Sequence, residues 1–486
     1  MTRITRATPL ALAESKRKIS KVASMPATTS SLPRLARLFG KRTSLLALAA
    51  LILGACPASS DDVRPPSDQF FFPTGIAMTA DNSTLFVANA NSDLRYDSGS
   101  LSVVRLDKVV SIVSDWIDNG TVPAEVCGNS GICCEKDNTV ASTLICNEKI
   151  AIEADSTVRT GNFATEIDVQ LLDNGDSRVF AAVRGDPSLT WVDFDSETLA
   201  TDCGGSGGLP RCNDAHRLNR MRNDSSLGGL APEPFGIYVD SSAGFVILTH
   251  LAQGAVSLAD APSDGSAPQL SDALGGVFEP DFVTRVRSSL GAAARLPGGR
   301  VYVTSRSEDR VQMFSVVRLG TQPPALVPGD FFFLRGVEPS DNGRGIRFSA
   351  DGLQAYIVNR SPPMLQILDT TIDPTGAPRN ELARAVELCA SASNVAVGDL
   401  GRGERVYVAC FREGQVWAIN PTSGILEAII DVGRGPQALV VSTSNQQLYV
   451  SNYLEDTVAV VDLNPDSVTE NRVVLRLGRP RQSGGN

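Results

Sequence analysis

Four arginines and a histidine stand at matching places in a pattern that recurs along this chain. Arg184, Arg306 and Arg360 each lie four residues after an apolar anchor (Phe180, Tyr302 and Tyr356), and Arg412 lies five after Tyr407. His250 holds the place that Asn452 holds in the last copy. Guanidinium groups gathered at one mouth would bind a carboxylate or phosphate ligand. The simpler reading leaves them solvated or paired with acids such as Glu308, Asp309 and Glu413, and the excess of acid in the body of the chain favours it. His250 reads as a hydrogen-bonded turn residue and His216, beside Arg217, as surface. Asp81, Asp168, Asp240 and Asp351 fall near turns and leave an acid route to catalysis open, although Asp81-Asn82 and Asp351-Gly352 read more simply as hairpin turns. Only two histidines exist, and no His-Glu-x-x-His, phosphate-cradling loop or Cys-x-x-Cys-His occurs. The sequence therefore assigns no catalytic residue, no cofactor and no metal.

The elements that must position these residues are short strands. Gly435–Val441, Leu448–Asn452 and Thr457–Asp462 are β-branched runs bounded by turn residues, three antiparallel strands in a row. With Tyr449 as anchor the third strand starts nine residues later, at Val458. The same offset links Tyr407 with Val416, Tyr356 with Leu365, Tyr302 with Val311, Ile247 with Val256 and Phe180 with Leu189. Phe86 heads a seventh copy, whose third strand, from Leu101, is delayed by about six residues. Successive anchors are separated by 42 residues at the C-terminal end and 94 at the N-terminal end. The spacing of copies is irregular while their interior is not.

Tyr449-Val450-Ser451-Asn452, Tyr407-Val408-Ala409-Cys410 and Phe86-Val87-Ala88-Asn89 resemble the YVTN family of β-propeller repeats, over roughly residues 70–480. The resemblance implies an all-β fold, a propeller most simply of seven four-stranded blades around a central channel, closed so that short strands leave few exposed edges. A fourth strand is visible at Arg472–Leu477. Some seven-bladed relatives open lactones, with His/Arg/Glu clusters or a divalent metal held by acids and Asn. The domain is expected over 70–482, with insertions near 107–160, 196–232, 261–289 and 317–343, where function commonly resides.

Cys127, Cys133, Cys134, Cys146, Cys203, Cys212, Cys389 and Cys410 form an even set suited to disulfides in an exported chain. The first four are spaced C-x5-C-C-x11-C, which permits three pairings. Cys203 and Cys212 would close a small Gly-rich loop. Cys389 precedes the first strand of the sixth copy and Cys410 ends its second, so a bridge between them fits a propeller. Adjacent Cys133-Cys134 does not match the Cys-x2-Cys pairs of structural zinc.

The N-terminal segment reads as an address. Arg34, Arg37, Lys41 and Arg42 precede the apolar run 45–53, too short to span a bilayer comfortably. Leu53-Gly54-Ala55-Cys56 resembles the bacterial lipobox, which implies a signal peptide over 1–55, a lipidated Cys56 that anchors the protein to the membrane, and a flexible tether over 56–69. Residues 1–24 are long for such a segment, and Met25 is an alternative start. Pro57 in place of Asp, by resemblance to enterobacterial lipoproteins, implies the outer membrane rather than inner-membrane retention. From Cys56 onward 34 basic residues face 53 acidic ones, a net charge of −19, which argues against a nucleic-acid partner. The sequence thus predicts a cell-envelope lipoprotein, a propeller binding or scaffold module for an envelope protein, glycan or small anion; the alternative is a lactonase-like or other hydrolytic enzyme.

Overall fold

When a hairpin buries both faces, its register is set by the turn, and a slip of one residue would turn every side chain over. The offset of nine is that register. Val458 pairs with Ser451, Val416 with Ala409, Leu365 with Val358, Val311 with Thr304, Val256 with Thr249 and Leu189 with Ala182, always two residues past the anchor. Leu101 pairs with Ala88 in the same way, the six extra residues being taken up in the intervening loop. All seven anchors are buried, from 0% to 2% exposed, and each contributes about 1.5–3 kcal/mol of burial.

The computed structural model describes residues 63–128, 131–219, 229–278, 294–296, 300–334 and 341–480. They form seven small sheets arranged as a seven-bladed β-propeller. The innermost strands are Pro73–Met78, Ala164–Leu171, Pro234–Asp240, Ala294–Leu296, Asp341–Phe348, Ala392–Asp399 and Pro436–Ser442 for blades 1 to 7. Hydroxyls at the start of these strands tie neighbours together: Thr74 donates to the Ala164 carbonyl (2.9 Å), Thr165 to Phe235 (2.7 Å) and Ser393 to Pro436 (3.4 Å). Each such bond contributes about 1 kcal/mol. The segments 261–289 and 317–343 hold the fourth strands of blades 3 and 4, Gln269–Leu274 and Ala325–Phe333.

The ring closes between blades 7 and 1 in two places. On the inside, Ser451 Oγ donates to the Thr74 carbonyl (2.8 Å) and Phe72 N to Asp456 Oδ1 (2.7 Å). On the outside, the first insertion crosses over. Its helix, Leu106–Asn119, buries Leu106, Val109, Ile112, Val113 and Trp116 in the same cluster as Tyr449, Val458 and Leu475 of blade 7. Its ribbon, Cys134–Lys136 with Leu144–Cys146, then adds two strands to blade 7, Leu144–Cys146 lying parallel to Arg472–Leu477. Thr143 Oγ1 donates to the Val473 carbonyl (2.7 Å) and Gly478 N to Cys146 O (2.8 Å).

The cysteines pair as Cys127–Cys133, Cys134–Cys146, Cys203–Cys212 and Cys389–Cys410. Residues 63–69, read from the sequence as tether, are laid on the propeller instead. Asp97 N donates to Val63 O (2.8 Å), Thr157 Oγ1 to Ser67 O (2.7 Å), and Asp68 pairs with Lys149 (2.6 Å). The signal segment, Met25, Cys56 and Pro57 lie outside the described residues. No helix among the described residues is long and apolar enough to cross a membrane.

Two outcomes are expected. Replacing Cys134 and Cys146 together by Ala lowers unfolding stability by about 2–4 kcal/mol and speeds amide exchange in 472–477; unchanged exchange there would show that the crossing ribbon does not hold blade 7. His250 is fully buried, with Nδ1 3.1 Å from the Pro232 carbonyl and Nε2 2.9 Å from Ser257 Oγ. Burial depresses its pKa to about 4, against the opposing pull of the Pro232 and Ala231 carbonyls. The unfolded chain therefore binds the proton first, and stability falls as pH drops from about 6.5 to about 4, by roughly 3 kcal/mol at most. His250→Gln should remove that slope from the pH dependence of the melting temperature.

Candidate functional site

At the end of the axis where inner strands begin and second strands finish, three of the five residues singled out above come together. Arg306 follows the second strand of blade 4, Arg360 lies near the end of that of blade 5 (Gln354–Ser361), and Arg412 sits in the following turn of blade 6. Arg360 is held by its Nε, which donates to Ala392 O (2.7 Å), and its Nη2 reaches Ser391 O (3.5 Å). Burial lowers its pKa, and the nearby charges of Arg306 and Arg412 add to this, with Glu413 the one acid opposing.

A fourth guanidinium belongs to this group. Arg344 stands fourth on the inner strand of blade 5, between Gly343 and Gly345. A Cβ on Gly343 would meet Ser305 O of blade 4 at 3.0 Å, and one on Gly345 would meet Asn394 Oδ1 of blade 6 at 2.9 Å. The two glycines thus let this strand run close between its neighbours with the arginine on it. Burial, then Arg360 and Arg306, lower the Arg344 pKa to about 9, and its buried Nε has no hydrogen-bond partner among the described residues.

The other half of the axis is a cavity of about 630 Å³. Alternation along an inner strand sends residues i and i+2 to the same side, and in blade 2 those are Glu166 and Asp168. Glu166 Oε2 accepts from Ile237 N (3.2 Å), while Asp168 accepts from Val239 N (2.8 Å) and Val169 N (2.9 Å). Arg347 of blade 5, Asn394 of blade 6, Tyr238 of blade 3 and Thr79 and Asn82 of blade 1 are the other polar residues of its lining. Burial raises the pKa of both acids, against Arg347 and the amide donors, and the Asp168 charge raises Glu166 further. Buried carboxyls of raised pKa facing a cation in a cavity can take up and release protons above the usual carboxylate range.

The remaining expectations fall elsewhere. Arg184 is paired with Glu233, its Nε 2.7 Å from Oε2, so its charge is met. His250 is enclosed within blade 3 and does not face the mouth. Asp81, Asp240 and Asp351 each accept turn donors: Ser83 N at 3.1 Å, Ala243 N at 2.9 Å and Leu353 N at 2.9 Å. His216 is not plain surface: it packs on Trp191 and faces Asp193 at 3.8 Å. Among the described residues no three His, Cys, Asp or Glu side chains group as metal ligands do. Sequence reasoning missed Glu166, Arg344 and Arg347. Two signals were present: acids at alternate positions of an inner strand, and an arginine between two glycines at the head of another.

No protein-family model and no curated protein sequence matches this chain. Among solved structures it is similar to a periplasmic gluconolactonase of Pseudomonas aeruginosa, at 14% identity and a TM-score of 0.45, covering 74% of this chain and 84% of that one. It is similar also to a protein of Bacteroides uniformis provisionally described as a 6-phosphogluconolactonase, at 16% identity and a TM-score of 0.46, covering 73% and 94%. A protein from Lactobacillus plantarum matches at 15% identity and a TM-score of 0.45, covering 75% and 85%.

Proposed function

We propose that this chain is an exported propeller that hydrolyses a small lactone-like ester in its axial cavity. One observation carries the reading: Glu166 and Asp168, two enclosed carboxyls held by the amides of blade 3, share a cavity of about 630 Å³ with Arg347. Such a pair with raised pKa values retains one proton more readily than two exposed acids. Asp168, bonded to two backbone amides, is the better carboxylate, and Glu166, raised further by Asp168, the better acid. Water attacks the carbonyl carbon while Asp168 accepts its proton. Arg347 offsets the charge that develops on the carbonyl oxygen, and the ring C–O bond then breaks as Glu166 protonates the departing oxygen.

Four disulfides support an oxidising compartment, in keeping with export and lipidation at Cys56, with the outer membrane as the proposed site of attachment. A second reading, a non-catalytic envelope module that binds a protein, glycan or small anion, is favoured by the arginine group. It lies toward the opposite end of the axis from the acids and binds without reacting.

The soluble Cys56→Ser protein is expected to open five- or six-membered lactones, with a rate that rises with pH as Asp168 ionises, above the usual carboxylate range. Asp168→Asn should lower kcat by roughly 10²–10⁴-fold and Arg347→Gln by roughly tenfold or more, with unchanged melting temperatures. A wild-type protein inert toward a lactone panel from pH 5 to 9 would leave the binding-module reading in place.

A further inference from the structure

We propose that Arg306, Arg344, Arg360 and Arg412 form a binding site for the phosphate group of a small soluble ligand at the mouth of the axis. The inference concerns binding alone and stands whether or not the cavity below hydrolyses anything.

Charge is the first argument. The chain as a whole is acidic, and its arginines are generally met by acids: Arg184 by Glu233, Arg310 by Glu308, Arg434 and Arg476 by Glu455. In this group Arg306 and Arg360 lower the proton affinity of Arg344, Arg306 and Arg412 lower that of Arg360, and Glu413 is the one acid acting on Arg360. Among the described residues no acid acts on Arg344. A partly buried cation without a counter-ion costs free energy unless a ligand anion supplies the charge. Three net positive charges suit a dianion better than a single carboxylate, and several guanidinium forks match the oxygens of a phosphate.

Position is the second argument. Blades 1, 2 and 6 place a hydroxyl where blade 5 places Arg344, and each of those hydroxyls bonds a carbonyl of the next blade. Blade 5 forgoes that tie, and it does so between two glycines that the neighbouring blades press closely. The buried, unpartnered Nε of Arg344 is the donor that an oxyanion would satisfy.

The test is calorimetric titration of the Cys56→Ser protein with inorganic phosphate at low ionic strength, with malonate and acetate alongside. Saturable phosphate binding is expected, weakened about tenfold or more by Arg344→Gln, since a charge-assisted hydrogen bond is lost, and unaffected by Arg184→Gln. Without ligand, Arg344→Gln should melt no lower than its parent, because it removes an uncompensated cation; with phosphate, only the parent should gain melting temperature. The proposal is overturned by absent phosphate binding, by equal binding in Arg344→Gln, by malonate binding as tightly as phosphate, or by an Arg344→Gln protein that melts well below its parent without ligand.

Discussion

A ring of seven sheets strung on one chain must join its first blade to its last, and every other feature of this protein relies on that junction. Here the seam is held from both sides. Inside, hydroxyl and carboxylate side chains of blade 7 bond the backbone at the head of blade 1. Outside, the helix Leu106–Asn119 and the ribbon 134–146 carry blade 1 across to blade 7, extending its sheet to six strands. The Cys134–Cys146 bridge keeps the ribbon in register while its second strand pairs with Arg472–Leu477. An open seam would expose the outermost strand of blade 7 as an unpaired edge and let the axis widen.

With the ring closed, the seven inner strands converge, and any polar side chain on them is brought to a common axis whatever its distance in sequence. Glu166 and Arg347 are 181 positions apart in the chain, yet both line one cavity, where the Arg347 charge lowers the proton affinity of Glu166. Separation of charge along the axis is the notable result: acids and Arg347 in one half, Arg306, Arg344, Arg360 and Arg412 at the opposite mouth. The inner strand of blade 5 contributes to both through Arg344 and Arg347. A ligand with an anionic group at the mouth would therefore be oriented with its remainder toward the acids.

Much of the architecture was legible because a propeller blade repeats its hairpin. An anchor buried to within 2% and a third-strand residue nine positions later must recur wherever strands two and three are buried on both faces. Outer strands left weaker marks: Gln269–Leu274 is at most half-buried along its length and Ala325–Phe333 is largely exposed. Their composition therefore resembles that of loops, and 261–289 and 317–343 read as insertions. The partners Cys203–Cys212 and Cys389–Cys410 followed from sequence neighbourhood or strand position, whereas the pairing within Cys127 to Cys146 depends on how the ribbon folds against blade 7.

By itself, then, the sequence determined the all-β repeat, the seven anchors, the acidic body and the likeness of residues 53–56 to a lipobox, because each of these is carried by local spacing or composition. Tertiary structure alone decided which charges meet. Arg184 and Arg306 occupy equivalent positions in their copies, but one lies against Glu233 and the other beside Arg344 and Arg360. That difference arises from what the adjoining blades place opposite each residue, and a repeat pattern read along the chain carries no information across the axis.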